Sequence, residues 1–161
     1  MTSIAHDADQ HDSAGVIAPP PLIYLGGVAL GFALEAALPS ASLPAALQWG
    51  VGGALVVVGV AFARAFFRAL VGAGTTVSPF SRSTALVTTG PYRLSRNPGY
   101  LGMALVFAGI SLMSSAVWSL AALVPTLTLI EFGVIRREER YLERTFGAEY
   151  RDYKARTRRW L

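Results

Sequence analysis

From Pro98 to Ile135 the chain carries one charged residue, Glu131, and that stretch leaves few folds open. It is nearly twice as long as the about 20 apolar residues that cross the hydrocarbon core of a bilayer. Backbone in lipid has to satisfy its own hydrogen bonds, so a stretch of this length folds as two antiparallel helices with their turn at a membrane surface. Ser114-Ser115-Ala116 is the natural break. Upstream, Leu22 to Leu38 and Ala45 to about Val71 are long and apolar enough for two further spans. The first is entered through Pro19-Pro20-Pro21, where proline forfeits nothing because the first amides of a helix have no partner. The expected fold class is therefore all-α, an integral membrane helical bundle of about four transmembrane helices. A C-terminal amphipathic helix follows in the cytosol.

Composition agrees. The chain is 53% hydrophobic and only 15% charged, whereas a soluble domain carries about 25% charge. With no cysteine there is neither a disulfide framework nor a thiolate metal site. The two histidines, His6 and His11, both fall in a polar N-terminal stretch, which argues against a histidine metal centre or general base. Residues 1–18 lack a basic segment ahead of an apolar one, so they read as a disordered tail rather than a cleaved signal peptide. Residues 19–161 form the single expected domain.

Charge placement sets the orientation. All 14 Lys and Arg residues lie at the end of the second span (Arg64, Arg68), in the loop before Pro98, or after Ile135. Four spans put these three places on one face, which the positive-inside rule makes cytoplasmic, together with both termini. Three spans would split the basic segments between faces. The net charge of +4 then reflects topology and attraction to anionic headgroups, not nucleic-acid binding.

Two polar clusters carry the candidate chemistry. Gly90 to Tyr100 gathers prolines, glycines, tyrosines and arginines immediately before the third span. A helix opening at Pro98 presents free amides and partial positive charge to an anion. Arg93 and Arg96 add full charges suited to carboxylate or phosphate, and Tyr92 and Tyr100 add aromatic faces. The same residues also suit an ordinary basic interfacial loop with belt tyrosines. The second cluster, Glu138-Glu139, lies about a turn beyond the last apolar residue. Adjacent residues do not share a helix face, so at most one points into a common pocket and the other pairs with a neighbour such as Arg136 or Arg137. Glu131, two turns earlier, is placed to line the same cavity. Glu35 lies far from the basic clusters and is expected to snorkel. Gly72 to Pro79 is loop-like but lacks the context of a phosphate loop.

The run Leu86-Val87-Thr88-Thr89-Gly90-Pro91-Tyr92, then Arg96-Asn97-Pro98-Gly99-Tyr100-Leu101-Gly102, resembles the isoprenylcysteine carboxyl methyltransferase and phospholipid methyltransferase superfamily. So does Glu138-Glu139 followed by Leu142, Phe146-Gly147, Tyr150 and Tyr153. The resemblance covers roughly residues 74–161 with the motifs in order. It implies an integral membrane methyltransferase that uses S-adenosylmethionine, bound on the cytosolic side by Leu86, Val87, Tyr92, Asn97, Pro98, Gly99 and Tyr100. It also implies catalytic roles for Glu138, Glu139 and Arg96, and a lipidic or membrane-partitioned acceptor, carboxylate or amine. Two positions depart from the prenylcysteine enzymes: Asn97 stands where they have histidine, and Val134 where they have a substrate-binding arginine. Arg136 or Arg137 is the available substitute. Two other readings compete, a non-catalytic membrane protein that keeps the fold and a membrane reductase using a nicotinamide cofactor.

Overall fold

The computed structural model describes residues 14–75 and 83–161. His6, His11 and the end of the Gly72 to Pro79 stretch lie outside them. Among the described residues the secondary structure is entirely helical. Helix α1 spans Pro20–Ala37. A π-helical turn, Ala46–Gly52, leads into α2, Gly53–Gly72. After a 3-10 turn at Gly90–Arg93, α3 runs Pro98–Met113 and α4 runs Val117–Ile130. A second π-helical turn, Glu131–Ile135, joins α4 to α5, Arg136–Arg156, without a break in the helix. Three of these stretches, Pro20–Ala37, Ala46–Gly72 and the apolar part of Val117–Arg156, are long and apolar enough to cross a membrane. The fourth apolar helix, α3, is shorter.

The turn expected at Ser114 to Ala116 is there. Ser115 takes a left-handed conformation with φ 55°, unusual for a residue with a β-carbon. Its hydroxyl accepts a hydrogen bond from the Leu43 amide (2.7 Å), tying the turn to the connection between α1 and α2. Just inside it, the buried hydroxyls of Ser111 and Ser119 meet at 2.8 Å. Glu35 has a definite task at this end. Its carboxylate accepts the Trp118 amide at the start of α4 (2.8 Å), where a negative group complements the helix dipole.

Glycines decide which helices touch. In lipid there is no hydrophobic drive to pair helices, so association depends on close backbone approach. Gly59 of α2 faces Gly102 of α3, and Gly52 faces Gly109, two turns along each helix. A β-carbon on Gly59 would stand 2.7 Å from the Gly102 carbonyl oxygen, and one on Gly109 would stand 2.7 Å from that of Gly52. Gly27 and Gly31 pack α1 against Thr126 and Ser119 of α4 in the same way. The core between these pairs holds Phe107, Ile130, Val134 and Ile135, while Val57, Val71 and Val124 are about 70% exposed on the outer, apolar face.

Ala14 to Ile17, part of the stretch read as a tail, are docked on the bundle. Ala14 and Val16 are buried, the Ile17 amide donates to the Gly133 carbonyl (3.2 Å), and Arg137 donates to the Gly15 carbonyl (2.8 Å). The connections 39–44 and 114–117 thus meet at one end of the bundle, and the basic segments meet at the other.

Candidate functional site

At the basic end, the polar loop wraps the start of α3. Gly90 has φ 61°, a conformation that glycine adopts without cost, and Pro91 then opens the 3-10 turn. The Tyr92 carbonyl accepts the Tyr153 hydroxyl (2.7 Å), and the Tyr92 ring lies against Phe66 (6.2 Å between centroids). Ser95 is fully buried; its hydroxyl accepts the Asn97 amide (3.0 Å) and donates to the Arg159 carbonyl (3.2 Å). The Asn97 side chain donates to that same carbonyl (3.0 Å) and does not cap α3. Asn97 therefore spends its amide hydrogen on the chain's own C-terminal segment, and the first turn of α3 is left without a side-chain cap.

The two adjacent glutamates part company. Glu138 lines a cavity and accepts the Tyr100 hydroxyl at 2.7 Å. Burial raises its pKa to about 7; the Tyr100 hydrogen bond opposes the rise and the negative charge of Glu139 adds to it. Glu139 lines the same cavity but is held in a cluster of cations. Arg159 grips it with two nitrogens at 3.0 and 2.7 Å, and Arg96 approaches to 2.9 Å. Burial pushes the Glu139 carboxyl up, but the Arg159 hydrogen bond and the charges of Arg96, Arg159 and Lys154 pull it below the usual carboxylate range. Those hydrogen bonds in turn hold the Arg159 guanidinium above its ordinary range. Arg96 also donates to the Lys154 carbonyl (3.0 Å), and its buried Nε–H has no partner.

Three sequence expectations are corrected here. Both glutamates, not at most one, line the cavity. The partners of Glu139 are Arg96 and Arg159, not Arg136 or Arg137, because the C-terminal segment folds back under the loop and brings Arg159 in. Glu131 does not line the cavity. It accepts Arg159 (2.7 Å), Arg136 (3.0 Å) and the Trp160 indole (3.2 Å), since the π-helical turn at Glu131–Ile135 turns it toward the tail.

The ten residues that the resemblance assigned to the site, Leu86, Val87, Tyr92, Arg96, Asn97, Pro98, Gly99, Tyr100, Glu138 and Glu139, line one cavity, whereas Arg93, also a candidate charge, does not. Phe66 and Leu70 of α2, Tyr141, Tyr150 and Tyr153 of α5, and Ala14 are among its other wall residues. Sequence reasoning named Tyr150 and Tyr153 only as part of the resemblance and did not place the other four. The one-turn spacing of Phe66 and Leu70 at the end of α2 was the available signal for that wall. Arg159 carried no signal, because near a C-terminus it reads as one more topological charge. Burial keeps the hydroxyls of Tyr92, Tyr150 and Tyr153 well above their ordinary range, so they stay protonated donors.

Residues 47–149 match the phospholipid methyltransferase family. Among curated proteins, the chain is 38% identical over 76 residues to a nickel-cobalt-cadmium resistance protein, NccN, of Alcaligenes xylosoxydans xylosoxydans. It is 36% identical over 76 residues to a cobalt-zinc-cadmium resistance protein, CzcN, of Cupriavidus metallidurans. Each match takes in 47% of this chain and 35% of the relative, so the matched segment spans about a third of the length of those proteins. An uncharacterised protein of Haemophilus influenzae is 42% identical over 64 residues, 38% of this chain and 98% of its own length. No solved structure matches.

Proposed function

The chain belongs to the phospholipid methyltransferase family, a membrane methyltransferase family, and from that premise we propose an S-adenosylmethionine-dependent enzyme that methylates an amine on a membrane-partitioned acceptor. Four spans, α1 to α4, carry one domain over residues 19–161, with the site and both termini on the cytoplasmic side. The convergence of the two clusters on one cavity, with Glu138 held by Tyr100 at 2.7 Å, is the observation that carries this reading.

The residues present fit the cofactor. The orphaned Nε–H of Arg96 and the uncapped first turn of α3 offer donors and positive potential to its carboxylate. Leu86, Val87, Tyr92, Pro98 and Gly99 supply apolar and aromatic walls. When bound, the cofactor supplies a methyl group on a cationic sulfur, open to in-line attack.

The chain's own work is alignment, exclusion of water and one proton transfer. The walls hold donor and acceptor in line, which accounts for most of the rate gain in a displacement of this kind. An acceptor ammonium has to lose a proton before its nitrogen can attack. Glu138, with its pKa near 7, is poised to take that proton on its carboxylate near neutral pH. Tyr100 keeps the carboxylate aimed. Glu139 and Arg96 hold the floor of the site together through their ion pair, with Arg96 turning its spare donor to the cofactor.

Binding of S-adenosylmethionine to the detergent-purified protein, followed by radiolabelled methyl transfer into membrane lipid extracts, tests this. The parent is expected to bind the cofactor and label an amine-bearing lipid. Folded parent protein that binds no cofactor would instead support a non-catalytic subunit, and binding of a nicotinamide in its place would support a reductase.

A further inference from the structure

A second concave surface lies outside this cavity, on the far side of the wall formed by Phe66 and Tyr92. It is lined by Arg64 and Arg68 of α2, the alanines between and around them, and Thr89, Gly90 and Pro91. Both arginines are exposed, and no carboxylate among the described residues pairs with either. They stand one turn apart, about 6 Å along one face of the helix, close enough for both guanidinium groups to converge on one phosphate.

Depth identifies the ligand. The apolar helix Ala46–Gly72 is 27 residues long, about 40 Å at 1.5 Å per residue, against a hydrocarbon core of about 30 Å. Counted from Ala46, the core is used up at about residue 65. On that count Arg64 and Arg68 flank the edge of the core, where their long side chains reach the level of lipid phosphates. Above them α2 presents exposed apolar side chains, Val57 and Val60 among them, along which acyl chains can lie. Below them the Thr89 to Pro91 backbone closes the groove.

We propose that this groove binds the phosphodiester of an anionic glycerophospholipid, gripped by Arg64 and Arg68. A zwitterionic lipid brings the same phosphate but also carries an ammonium into a basic patch, so the anionic lipid is preferred. The positive-inside rule asks only that arginines lie on this side of the membrane; it does not ask that two share one groove beside a turn. The proposal is independent of the catalytic reading.

The test is lipid retention. The protein is reconstituted in nanodiscs of equimolar phosphatidylglycerol and phosphatidylcholine, extracted, and its retained lipid read by native mass spectrometry. The parent is expected to enrich phosphatidylglycerol roughly tenfold or more, each arginine contributing about fivefold. The double variant Arg64→Gln/Arg68→Gln should fall close to parity. Arg151→Gln/Arg156→Gln, with the same net charge and exposed positions on α5, should keep the enrichment. If the first double variant does not fold, the single variants Arg64→Gln and Arg68→Gln decide the matter, each with about a fivefold loss. Parity in the parent overturns the proposal, and so does equal loss in both double variants, which would indicate only a general basic field. Release of the lipid by millimolar inorganic phosphate would assign the groove to free phosphate and overturn the lipid assignment.

Discussion

Glu138 and Glu139 are neighbours in sequence and line one cavity, yet they occupy two regions of it with opposite electrostatics. Glu138 faces the part walled by Tyr92, Tyr100 and the start of α3, with one hydrogen bond from Tyr100 and, among the described residues, no cation paired with it. Glu139 faces the folded-back C-terminal segment, where Arg96 and Arg159 surround it. Burial acts on both, but among the described residues only the Tyr100 hydrogen bond opposes it in the first region, and in the second two guanidinium groups do. One carboxyl is therefore left able to exchange a proton near neutral pH, while the other stays charged. The lesson is that a carboxyl keeps a raised pKa here where no described arginine meets it, while the scaffold beside it depends on two.

The sharpest way to break this comparison is Glu138→Gln. The amide keeps the shape but takes no proton, so kcat should fall about 10²–10⁴-fold while cofactor binding and folding persist. In the parent, kcat/KM should rise with pH through about 7 as Glu138 ionises, and the variant should lose that limb. A variant that retains both rate and limb assigns the proton transfer elsewhere, or makes the acceptor a carboxylate that needs no base.

Next in size is Arg159→Met, which breaks the other region. Removing one partner of a buried ion pair costs about 3–5 kcal/mol, and the partial exposure of Arg159, 31% for its side chain, reduces this to about 2–3 kcal/mol. Thermal unfolding in detergent should show the loss at neutral pH. Because the Glu139 pKa is lowered on folding, its contribution is present above the ordinary carboxylate range and fades as pH falls through and below it. The parent should therefore lose its advantage over the variant in acid. An advantage constant from neutral to acid pH would mean that the clasp is held by something other than the charge of Glu139.

Tyr100→Phe makes a smaller, finer distinction. The Tyr100 hydrogen bond holds the Glu138 pKa down, so its removal should move the pH–rate limb upward, by roughly half a unit to one unit. A shift to lower pH would contradict the assigned donor. Smallest of all is Arg136→Met. Arg136 also bonds Glu131, at 3.0 Å, but its side chain is 48% exposed, and exposed pairs contribute about 0–1 kcal/mol. A change in unfolding temperature as large as that of Arg159→Met would dissolve the contrast between the clasp and the surface.

Much of this molecule was legible in its sequence, and for a physical reason. Apolar runs and the complete absence of Lys and Arg between Asn97 and Arg136 fix helices and turns locally, because the bilayer penalises every alternative. The serines at 114–115 marked a real turn, and the two motif clusters did converge. The rest needed three dimensions. Which carboxylate meets the Tyr100 hydroxyl and which meets the arginines depends on the helical phase after the π-helical turn at Glu131–Ile135, and composition does not report phase. That Asn97 ties down the tail, that Glu35 caps α4, and that Arg159 rather than Arg136 or Arg137 pairs with Glu139 all follow from contacts between residues distant in the chain. The sequence by itself determined an all-α membrane chain with its two polar clusters at the basic end. Only the tertiary structure decided which of two identical side chains keeps a raised pKa, because burial pushes both upward and, among the described residues, arginines stand beside Glu139 alone.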